Sequence, residues 1–277
     1  MFKTRILAVS LVSTFACVDD SEPELDREEA DLGFRGADVY NGLEIGNGLS
    51  LSNGLSLSNG FSLSNGLATS NGLSLSNGLA TSNGLALSNG FMTSIAGREF
   101  VRYLVECTLP RNDTLEKGEY KFNGLIGLAP EWKNGRCGTN CQEWVSACLL
   151  ARINESGKKV KIDMRATHRA IGVDAAIPRY NRQEGAFFGN LFQNPPVAYA
   201  CMGRDWQNAR YLDRNCATGS KKCGIKNVDY QNCAWRCYDV WGTFTSCPSS
   251  MYPYYGRYPR SYDAVITTYL PPYWDAD

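Results

Sequence analysis

The sequence predicts an α+β, disulfide-rich C-terminal domain preceded by a short hexapeptide-repeat parallel β-solenoid. Three observations predict it. All cysteines but one fall after residue 100, Asn-Gly recurs every six residues from Asn41 to Gly90, and helical and alternating apolar patterns are mixed beyond residue 95.

The N-terminus sets the compartment. Lys3 and Arg5 precede an uncharged, mostly apolar run from Ile6 to Ala16, the layout of a signal peptide spanning 1–16. That run is shorter than the roughly 20 apolar residues a bilayer requires. Ala16 immediately precedes Cys17, as in a bacterial lipobox, although Phe15 departs from the usual small residue. Two outcomes stand: lipidation of Cys17, or ordinary cleavage that leaves a free secreted protein. Counting favours the anchor, because the chain has 11 cysteines and an odd one in an exported protein needs a separate fate. With Cys17 removed, an even set remains: Cys107, Cys137, Cys141, Cys148, Cys201, Cys216, Cys223, Cys233, Cys237 and Cys247. An oxidising compartment pairs these as up to five bridges. The competing use is a metal site, since Cys137-x3-Cys141 and Cys233-x3-Cys237 approach ligand spacing. The steps differ from the usual C-x2-C and C-x4-C of structural zinc, and the chain has 1 histidine, so no metal and no cofactor are expected.

Formal charge is zero overall but uneven along the chain. Residues 17–40 carry nine acidic side chains against Arg27 and Arg35, the composition of a self-repelling, disordered tether. Residues 95–277 hold 24 basic and 18 acidic groups, a surplus compatible with contact to anionic polysaccharide or headgroups. Nucleic acid is not an expected partner, given the compartment and the absence of a strong basic cluster.

Residues 41–94 repeat Asn-Gly-Leu-Ser-Leu-Ser. A meander of Asn-Gly hairpins would mix serine and leucine on each sheet face, which register disfavours. A parallel solenoid instead points Leu49 and Leu51 inward and Ser50 outward, with Ser52-Asn53-Gly54 at the corner. Two buried leucines per repeat contribute about 3–6 kcal/mol, against roughly 6–12 kcal/mol for ordering six backbones. Ladder hydrogen bonds and capping must therefore supply the rest, and a flexible low-complexity spacer remains the competing form. The Thr69, Thr81 and Thr93 column reads as β-forming rather than as an ice-binding face.

In the C-terminal domain the spacing predicts a helix over 98–107, with Phe100, Tyr103, Leu104 and Cys107 on one face. Tyr120–Phe122 and Val160–Met164 alternate as strands. A second helix runs from Cys141 to Arg152 with Asn140 as its cap. Cys141 and Cys148 lie two turns apart, about 10 Å along the axis, so each must pair elsewhere.

Several strings in this domain resemble a family of cysteine-rich exported proteins abundant in myxobacteria, many of them predicted lipoproteins. They are Tyr103-Leu104-Val105-x-Cys107, then Phe122-Asn123-Gly124-x2-Gly127-Leu128-Ala129-Pro130-x-Trp132. Cys137-x3-Cys141-Gln142-x-Trp144 through Arg152 follows, with Phe188-Gly189-Asn190-Leu191-Phe192 ahead of Tyr199-x-Cys201. The resemblance covers residues 95–247 and implies an exported location and a domain boundary, but no chemistry.

Chemical motifs are sparse. No nucleophile elbow, H-E-x-x-H, phosphate loop or dinucleotide loop occurs. His168 paired with Ser146 or a free cysteine, and the carboxylates Glu131, Glu143 and Asp163, are the candidates for a secreted hydrolase such as a carboxylate-based glycosidase. The tail, residues 251–277, contains seven tyrosines interleaved with proline and arginine. Tyr252, Tyr254, Tyr255, Arg257, Tyr258 and Arg260 form a candidate binding surface for envelope polysaccharide or protein. The alternative is a tail that wraps the domain, with Tyr262–Tyr269 as an added strand. The leading expectation is a non-enzymatic lipoprotein of the cell envelope, at the outer surface or in the periplasm, held to the membrane by its anchor; the hydrolase is the rival.

Overall fold

The computed structural model describes residues 37–41, 43–44, 95–154, 160–173, 179–193, 196–211, 214–218, 223–252 and 258–272. The signal peptide, Cys17, most of the tether, the array from residue 45 to 94, and Tyr254, Tyr255 and Arg257 lie outside the described residues.

The first helix, α1 (Ile95–Thr108), overruns the expected span at both ends. Phe100, Val101, Tyr103, Leu104, Val105 and Cys107 are buried. On its partly exposed side Arg102 bridges Glu99 and Glu106 at three- and four-residue spacing. Pro110, two residues beyond the helix, cannot continue it.

The second helix, α2 (Thr139–Ala151), starts two residues earlier than Asn140 capping requires. Gly138 is the N-cap and Asn140 lies in the first turn. A local staple explains the shift: Cys137 bonds Cys141 across the helix start, and Gln142 Nε2 donates to the Cys137 carbonyl at 3.0 Å. Every residue from Glu143 to Ala151 is buried. A helix buried around its whole circumference belongs inside a protein, and α2 is joined to α1 by Cys107–Cys148. Cys141 and Cys148 do pair elsewhere, as their separation along the helix requires.

The main sheet has six strands. In chain order they are β1 (Ala37–Asn41), β6 (Val160–Arg165), β7 (Arg182–Asn190), β8 (Val197–Met202), β9 (Lys226–Asn232) and β13 (Ile266–Leu270). Their spatial order is β1-β6-β13-β7-β8-β9, antiparallel except for the parallel β8–β9 pair. The edge strand β1 comes from upstream of the boundary expected at residue 95, so the domain draws in the end of the acidic segment and Asn41. Between them in sequence, β2 (Leu43–Glu44) pairs in parallel with β5 (Ile153–Asn154), and β3 (Thr114–Lys117) forms a hairpin with β4 (Tyr120–Asn123). A smaller sheet contains β10 (Tyr238–Val240), β11 (Thr243–Pro248) and β12 (Ser261–Tyr262).

The tail differs from its expected role. Tyr262 and Tyr269 belong to different strands, and β13 occupies the middle of the main sheet between β6 and β7. Its sequence explains the position: all five residues Ile266-Thr267-Thr268-Tyr269-Leu270 are buried, so both faces are covered, as in a central strand. Ile266, Thr268 and Leu270 turn toward the helices. Val265, Thr267 and Tyr269 turn toward the small sheet.

Two apolar cores follow from this alternation. Phe187, Ala200, Ile162, Met164 and Ile266 join both helices in one, while Ala186, Phe188, Cys201, Val265, Tyr230 and Phe244 form the other under the small sheet. Gly185 allows the close approach of β8: a Cβ there would sit 2.5 Å from the Cys201 carbonyl oxygen. Buried charge is paired across layers. Arg214 donates to both carboxylate oxygens of Glu184 at 2.7 and 2.6 Å and to the Ala151 carbonyl, while the Thr268 hydroxyl donates to Glu184.

Candidate functional site

Three of the five large exposed aromatic side chains among the described residues, Trp235, Tyr238 and Trp241, gather on one short stretch, residues 235–241. It begins where β9 ends. Asn232 Oδ1 accepts the Ala234 amide at 2.9 Å, capping a single 3-10 turn, Cys233–Trp235. After Arg236 and Cys237, β10 runs out and β11 returns. Val240 pairs with Thr243, leaving a two-residue turn of Trp241 and Gly242.

Both turn residues have positive φ, 51° at Trp241 and 84° at Gly242, the pattern of a type I′ hairpin turn. Glycine adopts this freely. For a bulky side chain the left-handed region costs about 1–2 kcal/mol, and such outliers concentrate at functional positions. The surroundings hold the turn in place: the Gly242 carbonyl accepts from Tyr269 Oη at 2.9 Å and from Gln183 Nε2, while its amide donates to Asp239 at 3.1 Å.

Two disulfides brace the stretch from below. Cys201–Cys233 ties the 3-10 turn to β8, and Cys237–Cys247 ties the base of β10 to β11. Held on this frame, Trp235 is 65 % exposed, Tyr238 78 % and Trp241 78 %, with Val240 beside them. Arg236 and Asp239, also exposed, leave the stretch without net charge. Three large rings are thus displayed in water on backbone that has little freedom to withdraw them.

The residues expected from sequence fall out differently. In the tail, Tyr252 and Tyr258 are exposed. Arg260 instead bonds Glu143 on α2 and lies 4.7 Å from the Tyr262 ring, so it secures β12 to the helix. His168 is half-buried, its Nδ1 accepts the Ala170 amide at 3.2 Å, and its ring meets Trp144 edge-on at 5.0 Å. Burial, helped by Arg169, lowers its pKa below the usual value. Ser146 is fully buried and its Oγ accepts the Leu191 amide at 2.9 Å, a bond that joins α2 to the end of β7. Glu143 is paired with Arg260, and burial raises its carboxyl above the normal range. Asp163 is paired with Arg165, which lies 3.6 Å from the Tyr269 ring. These groups are taken up by packing, and among the described residues nothing joins His168 to a nucleophile.

All ten domain cysteines are paired: 107–148, 137–141, 201–233, 216–223 and 237–247. The sulfurs of Cys201, Cys233 and Cys237 lie within 4.8 Å of one another. In these bridges they carry no thiolate, the form a metal ion binds.

The hairpin is not legible in sequence because Trp241-Gly242 is not a familiar turn signal, unlike Asn-Gly. The available signal was the density of aromatics between closely spaced cysteines, Cys233-Ala234-Trp235-Arg236-Cys237-Tyr238-Asp239-Val240-Trp241.

No family model, curated protein or solved structure matches the chain. Five disulfides in a mixed helix and strand domain are consistent with an extracytoplasmic location. Among the described residues no helix is long and apolar enough to cross a membrane.

Proposed function

We propose that this is an exported, non-enzymatic binding protein of the cell envelope whose aromatic hairpin engages polysaccharide. The carrying observation is the exposure of Trp235, Tyr238 and Trp241 on a turn and a disulfide frame that fix them. Sugar rings offer an apolar C–H face edged by hydroxyls. Indole and phenol rings match both parts, with a flat apolar body and a polar edge. Rigid presentation removes much of the ordering cost of binding. The lack of net charge on the hairpin suits a neutral glycan, and its aromatics are Trp and Tyr rather than the aliphatic residues a lipid interior favours.

The rest of the chain fits this role. Cys17 anchors the protein through lipid, the acidic segment keeps it off the membrane, and the hexapeptide array acts as a solenoid spacer. Of the carboxylates that a hydrolase would use, Glu143 and Asp163 are each held in an ion pair and Glu131 is an exposed residue of the 3-10 turn Pro130–Lys133.

Binding is measured by depletion of the oxidised protein from solution by insoluble neutral glucan and by peptidoglycan. The wild type is expected to be retained on at least one of them. Trp235→Ala and Trp241→Ala each weaken retention about tenfold or more, as for a buried aromatic anchor, while Tyr258→Ala does not. Retention unchanged by both tryptophan substitutions, or absent in the wild type, refutes the proposal.

A further inference from the structure

Beneath the aromatic hairpin two disulfides touch. Cys201 Sγ and Cys237 Sγ belong to different bridges and lie 3.7 Å apart. Neither carries a hydrogen, so the approach is sulfur against sulfur rather than a hydrogen bond. Cys233 completes a group of three sulfurs within 4.8 Å, and Cys247 is bonded to Cys237. Four sulfurs from β8, the 3-10 turn, the base of β10 and β11 therefore share one cluster. Cys201, Cys233 and Cys247 are fully buried, whereas Cys237 is half-exposed. A solvent-borne nucleophile reaches Cys237 first.

We propose that this cluster is a thiol-exchange site, in which a small-molecule thiol opens Cys237–Cys247 and the freed Cys237 sulfur then displaces Cys233 from Cys201. The steps balance as ordinary exchange through thiolates. One thiolate attacks Cys237 Sγ, a mixed disulfide forms, and Cys247 leaves as a thiolate and takes up a proton. A second thiolate attacks the small molecule's sulfur in that mixed disulfide, releasing the oxidised small-molecule disulfide and Cys237 thiolate. Cys237 then attacks Cys201 Sγ across the 3.7 Å contact. The Cys201–Cys237 bond forms, the Cys201–Cys233 bond breaks, and the electron pair departs on Cys233, which is protonated. Two external thiols are oxidised to one disulfide and one protein bridge is lost.

Tyr230 stands beside the reacting atom. Its Oη is 3.7 Å from Cys237 Sγ and donates to the Pro248 carbonyl at 2.8 Å. Burial keeps this phenol protonated well beyond its usual range, so it can turn its proton from Pro248 to the Cys237 thiolate. The exchange removes the clamp between β10 and β11 and moves the tie on β8 from the start of the 3-10 turn to its far side. The display of Trp235 and Tyr238 thereby becomes sensitive to thiols.

The test treats the oxidised full-length protein with a limiting amount of monothiol. Acid quenching, alkylation and disulfide mapping follow. The main singly reduced species is expected to contain Cys201–Cys237, with label on Cys233 and Cys247 and with Cys107–Cys148 intact. Label on Cys237 and Cys247 with Cys201–Cys233 intact overturns the proposal. Cys247→Ser supplies Cys237 as a thiol without any reductant. Its expected map again shows Cys201–Cys237 and a labelled Cys233, while label on Cys237 alone contradicts it. Should that variant fail to fold, the wild-type arm decides alone.

Discussion

Trp241 shows most clearly how one residue links backbone conformation to surface chemistry. Its left-handed φ is held by hydrogen bonds to the neighbouring Gly242 carbonyl. Trp241→Gly relieves the conformation and is expected to raise unfolding free energy by about 1 kcal/mol, while lowering retention on polysaccharide. Opposite movement of denaturation midpoint and retention identifies a residue kept for binding at a cost in stability. His168, the sole histidine, gives a second test by proton NMR. Because burial lowers its folded pKa, the unfolded chain binds the proton first. Its contribution to stability is complete above the unfolded value of about 6.5 and declines as pH falls from there through the lower folded value. A ring titrating at or above 6.5 contradicts the packing against Trp144. Neither residue's role was legible in sequence: φ at Trp241 is imposed by tertiary contacts, and a lone histidine reveals its neighbour only after folding.

At the scale of elements, α1 and α2 were legible because their apolar spacing is helical, and Val160–Met164 because it alternates. The strand β7 was not. Gln183, Glu184 and Gly185 read as polar or breaking residues, yet Glu184 is buried against Arg214 and Gln183 against Gly242. The strand β9, Lys-Asn-Val-Asp-Tyr-Gln-Asn, carries only Val228 and Tyr230 as apolar signal. Disulfides rank by the loop they close. Cys107–Cys148 spans 41 residues and Cys137–Cys141 spans 4; chain entropy assigns about 4 and about 2 kcal/mol respectively. Replacing Cys107 and Cys148 together by alanine should therefore lower stability more than replacing Cys137 and Cys141, and equal losses in denaturant titration count against the entropic ranking. Removing residues 261–277 deletes β12 and the central strand β13. The domain is then expected to lose cooperative unfolding altogether, whereas a dispensable wrapping tail would leave the transition in place.

For the whole molecule, cross-linking was the most legible feature, since an even set of cysteines implies bridges without needing the fold, and the five bridges are consistent with an extracytoplasmic location. Their partners were not legible, because pairing depends on which strands meet. Cys201 finds Cys233 through the parallel neighbour β9, and no spacing rule announces that. The tyrosine-rich tail and the hairpin both expose aromatic rings, and two of the five bridges lie at the hairpin. Under the proposed function, an oxidised scaffold is the condition for the hairpin's display of its rings. The most direct test alkylates intact cells of the native host, recovers the protein and maps its sulfurs by mass spectrometry. The expected result is no alkylated thiol among Cys107, Cys137, Cys141, Cys148, Cys216 and Cys223, with Cys107–Cys148, Cys137–Cys141 and Cys216–Cys223 recovered as linked peptides; label on any of these, or thiolates holding a metal ion, would contradict it.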